Sequence, residues 1–255
     1  MRKAKIGIIG CGKISDAYFK GCKRFNILEI SACADIDIKR AREKAKQYNI
    51  AKACMVDELI ADKEISIVVN LTIPKVHTEI NLGILKFGKH VYTEKPFAVS
   101  REESENVLVA AKKAKLLVGS APDTFLGAGI QSCRKLIDDG AIGIPVAAVA
   151  FMVCRGHESW HPNPEFYYER GGGPILDMGP YYLTALVNLL GPMKTVTGLT
   201  KKTFPERIIT SQPKAGKKIL VEVETHIRGQ HAFCEWRHRN AHHELRCMAT
   251  QSPAD

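Results

Sequence analysis

Two groups of residues in this chain have the types and spacing for chemistry. The first is Gly10, Cys11, Gly12, Lys13, Ile14, Ser15, which directly follows the apolar run Ile6 to Ile9. Gly10 can supply a tight turn and Gly12 a close backbone approach to a pyrophosphate, whose charge suits a helix N-terminus with unpaired N–H groups. Lys13 and Ile14 lie on the same phosphate-facing turn, and Ser15, in place of a third glycine, is small enough to keep helix and strand close. The second group is Lys95, between Glu94 and Pro96, with Asp177 and Tyr181 at the end of the run from Gly171. Taking a hydride from a carbinol carbon requires the hydroxyl proton to leave, so a base must lie within hydrogen-bond reach of that oxygen. Lys95 and Tyr181 are the candidates, both with an ordinary pKa of about 10. Burial and a positive ring would lower the lysine, a neighbouring ammonium would lower the tyrosine, and Asp177 would orient one of them.

These residues need a frame that brings them together. Ile6 to Ile9, Leu28 to Ala34, Ile65 to Thr72, His90 to Thr93 and Leu116 to Gly119 read as buried strands, with helical spacing over Val76 to Phe87 and Ser100 to Ala114. The alternation predicts a doubly wound parallel sheet, an NAD(P)-binding Rossmann domain over residues 1–120. Ligands on such sheets bind outside the carboxyl ends of the strands, where Thr72, Pro74, His77 and the turn Glu94 to Pro96 fall. Asp35 closes the second strand, twenty residues past Ser15, where a carboxylate can accept from the adenosine ribose hydroxyls. It favours NAD, because a 2′-phosphate there would meet like charge; Lys39 and Arg40 keep NADP open. His77 can touch ribose or substrate, or satisfy backbone in the turn after Pro74.

The second half, 121–227, reads as a second unit of helices and strands. Thr124 to Gly140 and Leu183 to Leu190 read as helices, Val146 to Val153 as a strand, and Lys218 to Ile227 alternates in strand fashion. His157, Trp160 and His161 mix a flat aromatic with hydrogen-bonding groups, a combination suited to a polyhydroxylated ligand such as a sugar or polyol. An ordinary core tryptophan with surface histidines is the other reading of that segment.

The glycine loop, Asp35, the stretch Asn70, Leu71, Thr72, Ile73, Pro74 with His77 and Glu79, and the turn Glu94, Lys95, Pro96 together resemble the Gfo/Idh/MocA family of oxidoreductases. Gly171 through Tyr181 resembles that family's second signature, in which Asp, x, Gly, x and then His or Tyr line the substrate side. Tyr181 resembles the branch that includes glucose–fructose oxidoreductase and dimeric dihydrodiol dehydrogenase, where tyrosine is the proposed acid/base. The resemblance covers residues 1 to about 227. It implies an NAD(P)-dependent dehydrogenase, a cis peptide before Pro96, an α+β substrate domain over 121–227 with a mostly antiparallel sheet that is incomplete here by comparison with the family, and a homo-oligomer if that C-terminal sheet is complete. It also reaches glycoside hydrolases that use NAD transiently, which cleave with no net NADH.

Composition bounds the rest. Eight cysteines without Cys, x, x, Cys spacing, no signal-like start and no long apolar stretch are expected of a cytoplasmic enzyme with reduced thiols and no membrane span. The formal charge of +10 is spread over helical patterns such as Lys39 to Lys46 and Lys112 to Lys115, not gathered with stacking aromatics, so nucleic acid is not an expected partner. Residues 228–255 lose the strand pattern: they hold four of the nine histidines and no valine or isoleucine. A shifted reading frame explains the change, since Met248 to Ala254 read one base later permits Trp, Arg, His, Asn, Leu, Pro, Arg, and Leu245 to Cys247 permits Phe, Asp, Val. Glu235 to Arg237 likewise permits Asn, Gly, Ala, a turn between strands. A zinc site from His231, Cys234, His238, His242 and Cys247 matches no usual ligand spacing, and no metal is expected. A truncated chain that binds NAD without turning over substrate is the non-enzymatic alternative.

Overall fold

The computed structural model describes residues 3–234. Of the tail 228–255 for which a frame change is expected, residues 235–255, with His238, His242 and Cys247, lie outside the described residues.

Six parallel strands form one sheet: β1 (Ala4–Ile9), β2 (Leu28–Ala34), β3 (Lys52–Cys54), β4 (Ile67–Asn70), β5 (His90–Thr93) and β6 (Val118–Ser120), in the order β3-β2-β1-β4-β5-β6. Register aligns their carboxyl ends. Ile9 pairs with Ala34 and with Asn70, Asn70 with Thr93, and Thr93 with Ser120. Gly10, Asp35, Leu71, Glu94 and Ala121 therefore leave the sheet along one edge.

The strands are apolar on both faces because helices cover both. Successive residues of β1 and β4 point to opposite sides: Ile9 and Val68 pack with Leu59, Ile84, Val91 and Val107, whereas Ile8 and Val69 pack with Phe19, Cys33, Ala41 and Tyr48. Each fully buried isoleucine contributes about 1.5–3 kcal/mol. Helix α1 (Ser15–Cys22) follows β1, and α2 (Ile38–Tyr48) turns Ala41, Ala45 and Tyr48 inward at helical spacing. Asp37 caps α2 by accepting from Lys39 N, and Asn49, at φ 54°, ends it. Helices α3 (Val56–Ala61), α4 (His77–Lys86) and α5 (Arg101–Ala114) complete the layers; Ser100 caps α5 through Glu103 N. The short β3 and α3 carry no strong periodicity and are additions to the sequence reading, while β4 is shorter than the run Ile65 to Thr72.

The second half departs further. The stretch Thr124 to Gly140 is a 3₁₀ turn (Asp123–Leu126) and then α6 (Ala128–Asp138), because Gly127 is extended at ψ 151° and interrupts the helix. Val146 to Val153 forms no strand. Its alternating apolar residues have no partner strand among the described residues, and Val146 is 95% exposed. Three helices follow, α7 (Glu165–Tyr168), α8 (Gly173–Asp177) and α9 (Gly179–Leu190), the last beginning four residues before Leu183.

Strands β7 (Met193–Lys201) and β10 (His226–Phe233) pair antiparallel, as do β8 (Glu206–Ile208) and β9 (Lys218–Leu220). The single strand expected over Lys218 to Ile227 is thus two, separated at 221–225. The loss of strand pattern after 227 is also corrected, since β10 runs through Phe233 without valine, held by its ladder to β7. Tertiary pairing there overrides weak local preference.

A small core of Tyr167, Tyr168, Ile209, Ile219 and Val221 anchors this half. Glu158 is buried beside it, accepting from Arg207 and from the Tyr168 hydroxyl, while its carbonyl accepts from Thr210 N and Ser211 N.

One buried knot holds the binding edge of the sheet. Asn70 Oδ1 accepts from Thr72 N and Oγ1, and its Nδ2 donates to Asn81 Oδ1 at 2.8 Å. Asn70→Leu strips these buried groups of partners and is expected to cost about 2–3 kcal/mol, read as a lower urea midpoint with an unchanged slope.

Candidate functional site

The glycine loop leaves β1 with Gly10 at φ +95°, where a Cβ would sit 2.6 Å from Leu71 O, so only glycine lets the chain pass β4. Gly12 differs. A Cβ there would meet nothing within 4 Å, so the space in front of it is open. Ser15 is fully buried and its Oγ donates to Gly12 O at 2.6 Å, tying loop to helix. Ile14 sits at the N-cap of α1 without a side-chain cap, while Ser15 N and Ala17 N donate to Gly12 O and Ile14 O. Lys13 and Ile14 are exposed at the rim of the loop. An open cradle before Gly12 and an uncapped helix N-terminus fit a dinucleotide pyrophosphate.

Asp35 is buried and shapes that cradle. Its Oδ2 accepts from Cys11 N at 2.8 Å and its Oδ1 from Asp37 N at 2.9 Å, with Arg40 at 3.4 Å. Oδ2, with one donor on it, keeps accepting capacity beyond these bonds.

At the centre of the sheet edge, Glu94 accepts from the Tyr18 hydroxyl at 2.8 Å and from Lys95 N at 2.9 Å. Tyr18 was not among the sequence candidates. Nothing in the periodicity of α1 marks it, and only the fold brings it beside a residue 76 positions away. Burial first, and Glu94 second, hold its hydroxyl well above the usual tyrosine range. The Lys95–Pro96 peptide is cis, in line with the resemblance.

His77 is fully buried, with Nδ1 2.8 Å from Pro96 O and Nε2 2.9 Å from Thr72 O. Both ring nitrogens are engaged by backbone, so His77 bolts the Thr72–Pro74 turn to the Lys95 turn. This is the backbone-satisfying arrangement of the two considered for it.

The second half completes the cluster. Lys95 Nζ donates to both Asp177 O and Asp177 Oδ1, each at 2.7 Å, across 82 residues of sequence. The same ammonium lies 5.0 Å from the centroid of the Tyr181 ring. Burial opposes ionisation of Asp177, but hydrogen bonds from His157 and Lys95, with the lysine charge, outweigh it and hold the carboxyl below its usual range. Tyr181 goes the other way. The sequence reading had the neighbouring ammonium lowering its pKa; burial instead, joined by the charges of Glu94, Asp123 and Asp177, pushes it up to about 12.

Of the segment 157–161, His157 is buried and Trp160 is 59% exposed, so Trp160 is a surface ring and not core. Their rings lie 4.8 Å apart, and His161 packs edge-on to Trp160 at 5.4 Å. Burial lowers the pKa of His161, a hydrogen bond with Asn163 opposes this, and His157 and Lys13 add to the lowering. Among the described residues there is no group of three or more ligands able to hold a metal, and no helix is long and apolar enough to cross a membrane.

Residues 4–121 match the family model of the Gfo/Idh/MocA oxidoreductases with an NAD-binding Rossmann fold, and residues 130–248 match the Gfo/Idh/MocA C-terminal domain. The chain is 30% identical over 176 residues to the 1,5-anhydro-D-fructose reductase of Ensifer adhaerens, a match that covers 68% of this chain and 52% of that protein. It is 28% identical over 181 residues to the trans-1,2-dihydrobenzene-1,2-diol dehydrogenase of Xenopus tropicalis, covering 69% and 54%. A levoglucosan dehydrogenase solved with NADH and L-sorbose superposes with a TM-score of 0.75 at 21% identity, covering 91% of this chain and 64% of the other. The chain therefore spans about half the length of the relatives it matches in sequence. The two family models meet in the order in which the Rossmann sheet and the Asp177 segment meet at Lys95, and the chain belongs to the Gfo/Idh/MocA family of oxidoreductases.

Proposed function

We propose that this chain carries the active site of an NAD-dependent oxidoreductase acting on the hydroxyl-bearing carbon of a sugar, polyol or related alcohol. The observation that supports this most is the Lys95 ammonium, held by Asp177 and laid against Tyr181 at the carboxyl edge of a Rossmann sheet. Bound NAD supplies the hydride acceptor. Gly10, Gly12 and the α1 N-terminus would hold its pyrophosphate, Asp35 its ribose, and Thr72, Pro74 and Glu94 would line its approach to the centre of the sheet.

The chain's own residues then handle the proton. Lys95 is the one of the two base candidates that is hydrogen-bonded into the cluster; in its neutral amine form it would accept the substrate hydroxyl proton, and Asp177 fixes its direction. Tyr181, raised to about 12, is protonated at neutral pH and so serves as a hydrogen-bond donor to the substrate oxygen. Trp160 offers an exposed flat face and His161 a polar edge for a polyhydroxylated ring. The sugar-derived and diol substrates in the names of the relatives share that chemistry, and NADP stays open through Arg40 beside Asp35.

Activity is tested by NADH formation from purified protein with NAD and myo-inositol, D-xylose or levoglucosan. Net NADH identifies a dehydrogenase, and glycoside cleavage without net NADH identifies the hydrolase branch instead. Lys95→Met is expected to lower kcat at least a thousandfold while NADH binding, followed by fluorescence, stays within about threefold. Gly12→Val should leave the melting temperature unchanged, because the added side chain enters open space, yet weaken NADH binding at least tenfold, about 1.4 kcal/mol. Equal loss of stability and binding in that variant would count against the cradle.

The Asp177 pair also sets a pH dependence. Its folded pKa is depressed, so its stabilisation is complete above the unfolded carboxyl value of about 3.9 and is lost as pH falls through the lowered folded value. Asp177→Asn is expected to cost about 1.5–3 kcal/mol at pH 7. The gap between the two proteins should close in acid unfolding below about pH 4; a gap that persists there refutes the ion-pair account.

A further inference from the structure

The carboxylate of Asp177 has two oxygens, and Lys95 takes only one of them. His157 Nε2 lies 3.4 Å from the other, Oδ2. We infer that His157 is a positioning residue for the proton-transfer centre, holding Asp177 from behind so that its first oxygen stays aimed at Lys95. The inference rests on the function proposed above for Lys95.

Four features of the structure carry it. The ring is preorganised: it stacks on Tyr167 with centroids 3.9 Å apart and planes 18° apart, meets Trp160 at 4.8 Å, and receives Phe166 edge-on at 6.0 Å. Its backbone is fixed by the next residue, because Glu158 is buried and bound by Arg207, Tyr168, Thr210 and Ser211. That network touches neither the glycine loop nor Lys95, so its consequence for the site is the placement of His157. Nδ1 of His157 is buried without a hydrogen-bond partner among the described residues. A carboxylate only accepts, so Nε2 carries the proton in its contact with Asp177 and an unpartnered Nδ1 is tolerated in exchange. Finally, at 3.4 Å the ring nitrogen lies within ion-pair distance of Oδ2, so the imidazole dipole faces the oxygen that Lys95 leaves open.

The ionisable groups facing Asp177 are Lys95, His157, Tyr167 and Tyr181; His161 faces His157 from its own segment, and the Glu158 carboxylate is turned to Arg207 and Tyr168. Removing the imidazole takes away one of the two side-chain contacts that favour ionised Asp177, so its titration must move to higher pH. A purely structural His157 would affect stability without moving that titration.

The experiment compares wild type, His157→Phe and His157→Gln. Phe keeps the stack on Tyr167 and loses the donor; Gln places an amide N–H near the position of Nε2. Asp177 is followed by ¹³C NMR of labelled aspartate, assigned with Asp177→Asn, and NADH binding by fluorescence. Expected are an Asp177 titration displaced upward in His157→Phe, at least half restored in His157→Gln, and NADH affinity within about twofold in both. With a polyol that the wild type oxidises, the acid limb of kcat should move in the same order while KM stays within about twofold. An unmoved Asp177 titration in His157→Phe, or a Gln variant that behaves like the Phe variant, overturns the inference. Should His157→Phe fail to fold, His157→Asn, too short to reach Oδ2, takes its place with the same expected displacement. If the wild type reduces no NAD with any alcohol, the proposed function falls, and the Asp177 titration still decides the role of His157.

Discussion

The contact between Lys95 Nζ and Asp177 is the constraint on which the site depends. It joins a turn at the end of β5 to the last residue of α8, and it uses both the carboxylate and the main-chain carbonyl of one residue. A flexible lysine is a poor catalytic group because its rotamer freedom is large, and two acceptors at 2.7 Å remove much of that freedom. The remaining acceptor capacity of the carboxylate faces His157, and the face of Tyr181 closes the other side. In the proposed function, a substrate hydroxyl brought to this point would meet a lysine amine and a phenol whose directions are already set.

The Rossmann half prepares its share of the arrangement with buried polar bonds more than with charge. Asn70 knots the end of β4, His77 spans the carbonyls of Thr72 and Pro96, and Asp35 receives the amide of Cys11. All three side chains are buried, where a satisfied hydrogen bond is strong and an unsatisfied one is costly. The loops that leave the sheet edge are therefore rigid where they must hold ligand. The second half uses a different device, the buried carboxylate of Glu158 clamped by Arg207 and Tyr168, to hold the segment 157–161. Replacing one partner there leaves an uncompensated buried charge, which makes the clamp an all-or-none support.

Residue patterns carried unequal information. In the first half, β1, β2, β5, α4 and α5 were legible, because strands buried on both faces are continuous apolar runs and their helices have marked caps and stops. In the second half, Val146 to Val153 has strand composition and forms no strand, since a strand exists only with a partner to accept its ladder. The converse is β10, whose residues His226 to Phe233 read poorly and pair throughout with β7. Composition describes what a segment tolerates, and pairing decides what it does. Gly127 was equally silent in sequence, and its extended backbone divides a stretch that reads as one helix.

The sequence by itself determined the parallel sheet and the glycine loop with its exits at one edge, because turn chemistry and buried runs are local properties, and it offered Lys95, Asp177 and Tyr181 as candidates. Tertiary structure alone decided their relations. It put Asp177 on Lys95 instead of Tyr181 and made Tyr181 a weaker acid instead of a stronger one. It also turned His77 inward to the backbone, exposed Trp160, and brought Tyr18 to Glu94. The physical reason is that a direction, a desolvation and a Coulomb interaction all depend on which distant groups arrive beside a side chain, and residue order does not contain those distances.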